Sequence, residues 1–210
     1  TSAVPYLYMA NSTIEYAGYG VTATQGGLVK AYNSTFSNSW TNARITMYSN
    51  QHSIFSNCVF QWNDDFYNNI GFNPKRHLFM YQASGINIQG CDFENNSTAS
   101  IDDRGNGILS ILTEFNLTGR CLDPICSSYD RNNFNNLFYG IKASDASSIL
   151  IDRTNFTDNL RGAWIINSDA LQFTRNDLKL FDGTYSAPYD NASFGLYLES
   201  STGYQVEENY

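Results

Sequence analysis

Charge is scarce in this chain. Lys, Arg, Asp and Glu make up 15% of its 210 residues, and the balance is acidic, 20 Asp and Glu against 12 Lys and Arg, a net charge of -8. A chain with no basic surplus lacks the field that gathers phosphate backbones, so nucleic acid is not an expected partner. Anionic membrane surfaces repel it for the same reason. No apolar run approaches the ~18 residues of a membrane span, so membrane insertion is not expected either. Histidine is almost absent. His52 precedes a strand-like run and reads as structural, and neither it nor His77 sits at a spacing that supports a Ser-His-Asp or Cys-His nucleophile. An initiator Met and a leader segment are also missing, since the chain opens on Thr1 and stops at Tyr210 in mid-repeat. The expectation is one domain over residues 1–210, cut from a longer parent chain whose other domains are its neighbours.

Cysteine is sparse as well. Two of the four, Cys121 and Cys126, lie in the short loop-like stretch "RCLDPICSSY". A disulfide is expected there, which suggests an oxidising compartment. No second Cys or His pair accompanies them, so a metal site is not expected at that loop.

What fills the chain instead is aromatic, at 15%, and uncharged polar. These residues recur in order. The copies run "LYMANSTI" from Leu7, "VKAYNSTF" from Val29, "SIFSNCVF" from Ser53, "INIQGCDF" from Ile86, "SSYDRNNF" from Ser127, "ILIDRTNF" from Ile149, "LQFTRNDL" from Leu171 and "YQVEENY" from Tyr204. The eighth position is Ile14, Phe36, Phe60, Phe93, Phe134, Phe156 and Leu178, at steps of 22, 24, 33, 41, 22 and 22. The third position is mostly apolar: Met9, Ala31, Phe55, Ile88, Tyr129, Ile151, Phe173 and Val206. The sixth is small or amide: Ser12, Ser34, Cys58, Cys91, Asn132, Thr154, Asn176 and Asn209. Half a repeat later a Gly precedes an alternating apolar run at Gly20, Gly107, Gly140, Gly162 and Gly195.

A unit of 22 residues holds two or three short strands and cannot close a core alone. Stacked on its neighbours it can, with like positions ~4.8 Å apart. The fold class expected is therefore all-β, a parallel β-helix of seven to eight coils. The eighth position becomes an internal aromatic stack. The sixth becomes an internal ladder in which each amide bonds the one above and below, with Cys58 and Cys91 stacked as reduced thiols. Asp130-Arg131, Asp152-Arg153 and Thr174-Arg175 read as an ion-paired surface ladder, and Trp40, Trp62 and Trp164 as packing residues. Seven sequons occur, at Asn11, Asn33, Asn95, Asn96, Asn116, Asn155 and Asn191. They read as turn asparagines rather than glycan acceptors.

The segments "SNCVFQWN", "IQGCDFENN", "DDRGNGILS", "FNNLFYGIKASDASS", "FTDNLRGAWI" and "GLYLESSTGYQVEENY" together resemble the right-handed parallel β-helix regions of large secreted Bacteroidota proteins. Such proteins are commonly exported by the type IX secretion system. The resemblance spans nearly the whole chain. It implies a right-handed, pectin-lyase-like helix and a secreted or cell-surface location, and it supplies no catalytic motif.

Irregular repeat lengths mark where chemistry could sit. Extra residues enter between Asn63 and Leu78, between Asn96 and Gly107, and between Phe181 and Gly195. All three leave the coil at the same corner, which gathers loops on one face, the usual binding surface of a solenoid. They carry Asp64, Asp65, Tyr67, Arg76, His77, Asp102, Asp103, Arg104, Tyr185, Tyr189 and Asp190 as candidate ligand-binding residues. Flat rings and charged groups of this kind suit carbohydrate, so glycans or other cell-surface polymers are the expected partners. No cofactor is expected. Asp64-Asp65 or Asp102-Asp103 could hold Ca²⁺, but neither has a full ligand spacing. The leading reading is a non-catalytic, adhesin-like scaffold that displays loops. The alternative is a polysaccharide lyase or glycoside hydrolase using Asp65, Asp103, Lys75 and Arg76.

Overall fold

The computed structural model describes residues 5–47, 52–70, 75–181 and 193–210. Their strands are short because each coil must turn three corners, and the strands of successive coils stack into three long parallel sheets of eight, seven and seven. One regular coil shows the plan. Ile149–Asp152 lies in the first sheet, Thr154–Asn159 in the second and Arg161–Ile166 in the third. The chain then returns to Leu171–Thr174, which pairs in parallel on Ile149–Asp152, with Ile149 opposite Leu171. This is the expected parallel β-helix.

The corners of that coil are turned by residues in the left-handed region: Arg153 (φ 54°) at the first, Asp158 (φ 53°) at the second, and Asn167 (φ 48°) with Ala170 (φ 50°) at the third. At the first corner the earlier coils place Asn11, Asn33, Asn57 and Gly90, residues whose side chains tolerate this backbone. Two of the sequon asparagines, Asn11 and Asn33, thus serve as turn residues.

The aromatic column is present as expected. Phe36, Phe60, Phe93, Phe134 and Phe156 are opposite one another in consecutive strands of the second sheet. Phe60 and Phe93 stack at 4.6 Å between ring centroids, as do Phe93 and Phe134, each pair within 2° of parallel. All five rings are at most 1% exposed. The 4.6 Å spacing is the inter-strand distance, so the backbone ladder itself imposes the stack.

The sixth-position ladder differs in detail. Asn132 accepts from the Cys91 backbone N–H at 3.0 Å and donates to the Thr118 carbonyl at 2.8 Å. Asn176 likewise accepts from Thr154 N–H at 2.9 Å and donates to the Ile151 carbonyl at 3.1 Å. The buried amides thus mainly bind backbone, and only Asn176 and Asn209 join amide to amide, at 3.0 Å. The reason is the corner: its turn swings one N–H and one C=O off the strand ladders, and a buried pair must find another partner. Cys58 and Cys91 are free and buried at this position, and the Cys58 N–H donates to the Cys91 sulfur at 3.4 Å.

One coil is registered differently from the sequence reading. Its first-sheet strand is Phe115–Thr118, with Leu117 between Ile88 and Ile151, so Tyr129 is not a third-position residue. Residues 119–131 form instead a finger at the first corner. Arg120–Cys121 and Tyr129–Asp130 pair antiparallel, and Cys121 is disulfide-bonded to Cys126. Asp123 accepts from the N–H groups of Ile125, Ser127 and Ser128, and from both serine hydroxyls. These bonds, those from Ser127 foremost, hold its carboxyl well below the usual range. "SSYD" copies the repeat by spacing alone; Phe115 and Leu117 carry the apolar alternation that a buried strand needs.

The glycine column explains the third sheet. Gly20, Gly107, Gly140 and Gly162 lie where the next coil passes too close for a Cβ, which at Gly107 would stand 2.5 Å from the Gly140 carbonyl oxygen. In two coils the register puts Asn42 and His77 in this column. Both are fully buried. His77 stacks on Trp62 at 3.5 Å. The helix α1, Asp64–Ile70, adds Phe66 beside Trp62, and it too is fully buried.

Candidate functional site

The first two insertions meet, as their shared corner requires. The Asp64 carboxylate accepts from the Thr98 N–H at 2.7 Å and its hydroxyl at 3.0 Å. The Tyr67 hydroxyl donates to the Asp103 carbonyl at 3.3 Å and accepts from Asn95 Nδ2 at 2.7 Å. Burial raises the Tyr67 pKa. Arg104 donates from Nε to the Ala99 carbonyl at 2.9 Å and from its guanidinium to the Asn136 side chain. The polar atoms of Asp64, Tyr67 and Arg104 are thus used in joining the loops to each other and to the coil. Asp65 and Asp102 are exposed and Asp103 is half-buried. Tyr185, Tyr189 and Asp190 lie outside the described residues.

His77, expected on the loop surface, lies in the core. It is 0% exposed, and its two ring nitrogens are occupied within the core. Asn42 Nδ2 donates to Nδ1 at 2.8 Å, and Nε2–H donates to the Glu94 carbonyl at 3.0 Å. The tautomer follows from Asn42: its Oδ1 accepts from the Ser39 N–H and its Nδ2 donates to the Phe36 carbonyl, so only a donor faces His77. Burial pushes the His77 pKa well below the ordinary value. Its neighbours in sequence look like loop residues, but its register in the strand Arg76–Tyr81 turns it inward.

Lys75 and Arg76 leave the insertions and turn onto the outer face of the third sheet. There they join a feature that the repeat could have revealed, because the strand alternation turns the residue two after each column position, Arg44, Phe79, Lys142 and Trp164 among them, away from the core. Lys75 Nζ lies 4.2 Å from the Trp40 ring centroid, and Lys142 Nζ 4.2 Å from that of Trp164. Arg76 lies 4.2 Å over Phe79, and Arg44 5.3 Å over Tyr19. Trp40 and Trp164 are half-buried platforms, whereas Trp62 is a packing residue, fully buried with its Nε1–H donating to the Ser39 carbonyl at 2.7 Å. Burial is the largest cause lowering the pKa values of Arg76 and Lys142.

One acidic group shares this face, Glu199, which accepts from Trp164 Nε1 at 3.1 Å and favours the charged form of Lys142; other acidic groups lie elsewhere. Asp152 accepts from Arg153 at 2.5 Å and Arg175 at 2.7 Å, and Arg131 pairs with Asp177 at 2.7 Å. Asp130 sits in the finger and pairs with Arg120 at 2.8 Å, which takes it out of the ladder expected from sequence. Asp92 and Glu94, whose pKa values burial raises, point from the second sheet. A pocket of about 510 Å³ opens at the corner between third and first sheets; its Glu114 accepts from Ser147, and its Asp145 from Asn167. Among the described residues no group of three His, Cys, Asp or Glu side chains converges to hold a metal ion, and no helix is long and apolar enough to cross a membrane.

No curated protein and no solved structure matches the chain. A family model does, the one described as a right-handed β-helix region, over residues 6–178. With parallel sheets that rise one coil at a time and a family match covering most of its length, the chain belongs to the right-handed β-helix family.

Proposed function

We propose that this chain is a non-catalytic β-helix module of an extracellular or cell-surface protein, and that it holds polysaccharide on the outer face of its third sheet. One observation carries the reading: on that single face Lys75, Arg76, Lys142 and Arg44 each lie over an aromatic ring. The cation held over each ring offers N–H donors to sugar hydroxyls and to acidic groups. The coils repeat at ~4.8 Å, so such contacts are presented in a row rather than at one point. The Cys121–Cys126 bond suits an oxidising compartment.

The enzymatic alternative asks Asp65 and Asp103 to meet Lys75 and Arg76. Asp65 is exposed near the start of α1, while Lys75 is engaged with Trp40. The test is a glycan array on the intact chain, followed by incubation of each bound polymer with the protein. Retention without shortening is expected. Shortening that the double variant Asp65→Asn/Asp103→Asn abolishes would replace this reading with the enzymatic one.

A further inference from the structure

At one end of the third-sheet face Arg44 and Arg76 lie on adjacent strands, with Lys75 next to Arg76 in the chain. Arg44 stands opposite Phe79 in the neighbouring strand, and Arg76 opposite Thr41. Lys75 precedes Arg76 and reaches across Trp40. Among the described residues no carboxylate lies within ion-pair distance of any of the three, although most other basic side chains in the chain have one. The Nε atoms of Arg44 and Arg76 are buried and without a hydrogen-bond partner. The Arg76 guanidinium is destabilised chiefly by burial; Tyr19 opposes this, and Arg44 adds a smaller repulsion. Two half-buried guanidinium groups on adjacent strands, each with an Nε–H short of an acceptor, are a costly arrangement in the free protein. An anion relieves all three deficits together, since it separates the like charges and accepts from the orphaned N–H groups.

We propose that Arg44, Lys75 and Arg76 form an anion-binding subsite for the charged groups of an acidic polysaccharide, either the carboxylates of a polyuronate or the sulfate esters of a sulfated glycan. Both present oxygens in the planar or trigonal arrangement that guanidinium forks match. The subsite rests on the reading of the third-sheet face as glycan-binding. It adds a selection rule to it: the face holds the sugar backbone, and this cluster selects polymers that carry negative charge. The chain's net charge of -8 makes the selection local, because the protein as a whole repels such a polymer.

Titration calorimetry against four polymers tests this: polygalacturonate, its fully methyl-esterified form, dextran sulfate and dextran. The intact protein should bind one charged polymer about tenfold or more tighter than its uncharged counterpart, and which pair shows the preference tells carboxylate from sulfate. Arg44→Gln/Arg76→Gln should erase that preference and flatten its salt dependence, weaken the uncharged polymer far less than the charged one, and not lower the melting temperature. Lys75→Gln, at an exposed position, should lower the preference about threefold and serves if the double variant fails to fold. Equal binding of charged and uncharged polymers, or a preference that survives the substitutions, would overturn the subsite and leave the glycan reading standing. Failure of all four polymers to bind would overturn both.

Discussion

Two regions of this molecule treat positive charge in opposite ways. Around the corner between first and second sheets, Arg120, Arg131, Arg153 and Arg175 each meet a carboxylate at 2.8 Å or less. On the outer face of the third sheet, Lys75, Arg76 and Lys142 each meet an aromatic ring at 4.2 Å. Stacking sets up the same difficulty in both places, because like positions in neighbouring coils lie only ~4.8 Å apart. The corner solves it internally, with Asp152 serving two arginines at once. On the third sheet Glu199 acts on Lys142, but among the described residues Arg44, Lys75 and Arg76 have no carboxylate partner, and a ring attracts a cation without cancelling its field. A self-neutralised ladder contributes to stability and projects little beyond itself. An array over rings keeps its donors available to a partner.

Several measurements would sharpen or erase that contrast. Asp152→Ala should have the largest effect on stability, a loss of about 3 kcal/mol by urea unfolding, because it strands two arginines beside a site that is nearly closed to solvent. A loss under about 0.5 kcal/mol would make the corner no more self-reliant than the third sheet.

Acidification should act on the opposite region. His77 titrates below its ordinary value in the folded chain, so its contribution is complete above about pH 6.5. Below that the unfolded chain takes up a proton that the folded one refuses, and stability falls by about 1.4 kcal/mol per pH unit until the folded pKa is reached. Hydrogen exchange should show amides of 75–81 losing protection before those of 149–154. His77→Gln should remove this share of the pH dependence, and a wild-type stability flat from pH 7 to 5 would contradict the buried neutral imidazole.

Trp164→Ala should lower polysaccharide affinity about tenfold, measured on the same polymers as the subsite, since it removes both a platform and the surface under Lys142. Unchanged affinity would place binding elsewhere than the third sheet. The smallest effect is expected for Lys142→Gln on stability, under about 0.5 kcal/mol by thermal unfolding. A large loss would mean that the cation–ring pairs hold the fold as the ion pairs do.

Much of the architecture was legible because stacking writes itself into sequence. The rings of Phe60, Phe93, Phe134 and Phe156 recur since each lies over the last, and the corner asparagines recur since each coil bends there. The insertion corner was legible as well, from unequal spacing. The third-sheet face was hidden although its residues were in view: Arg44, Lys142 and Trp164 differ in type, and only the alternation after each glycine places them on one side. The coil from Phe115 was misregistered because its finger enters between the fourth and sixth positions, leaving a second, polar segment at the expected interval.

Sequence alone determined that the chain winds into a β-helix, because a repeat too small to close a core has no other way to bury its rings. Tertiary structure alone decided which polar residues are spent on the fold and which face outward. His77 and Arg76 are adjacent in the chain and opposite in fate. The strand's two-residue alternation sends one into the core against Trp62, and the other onto a ring on the outer face.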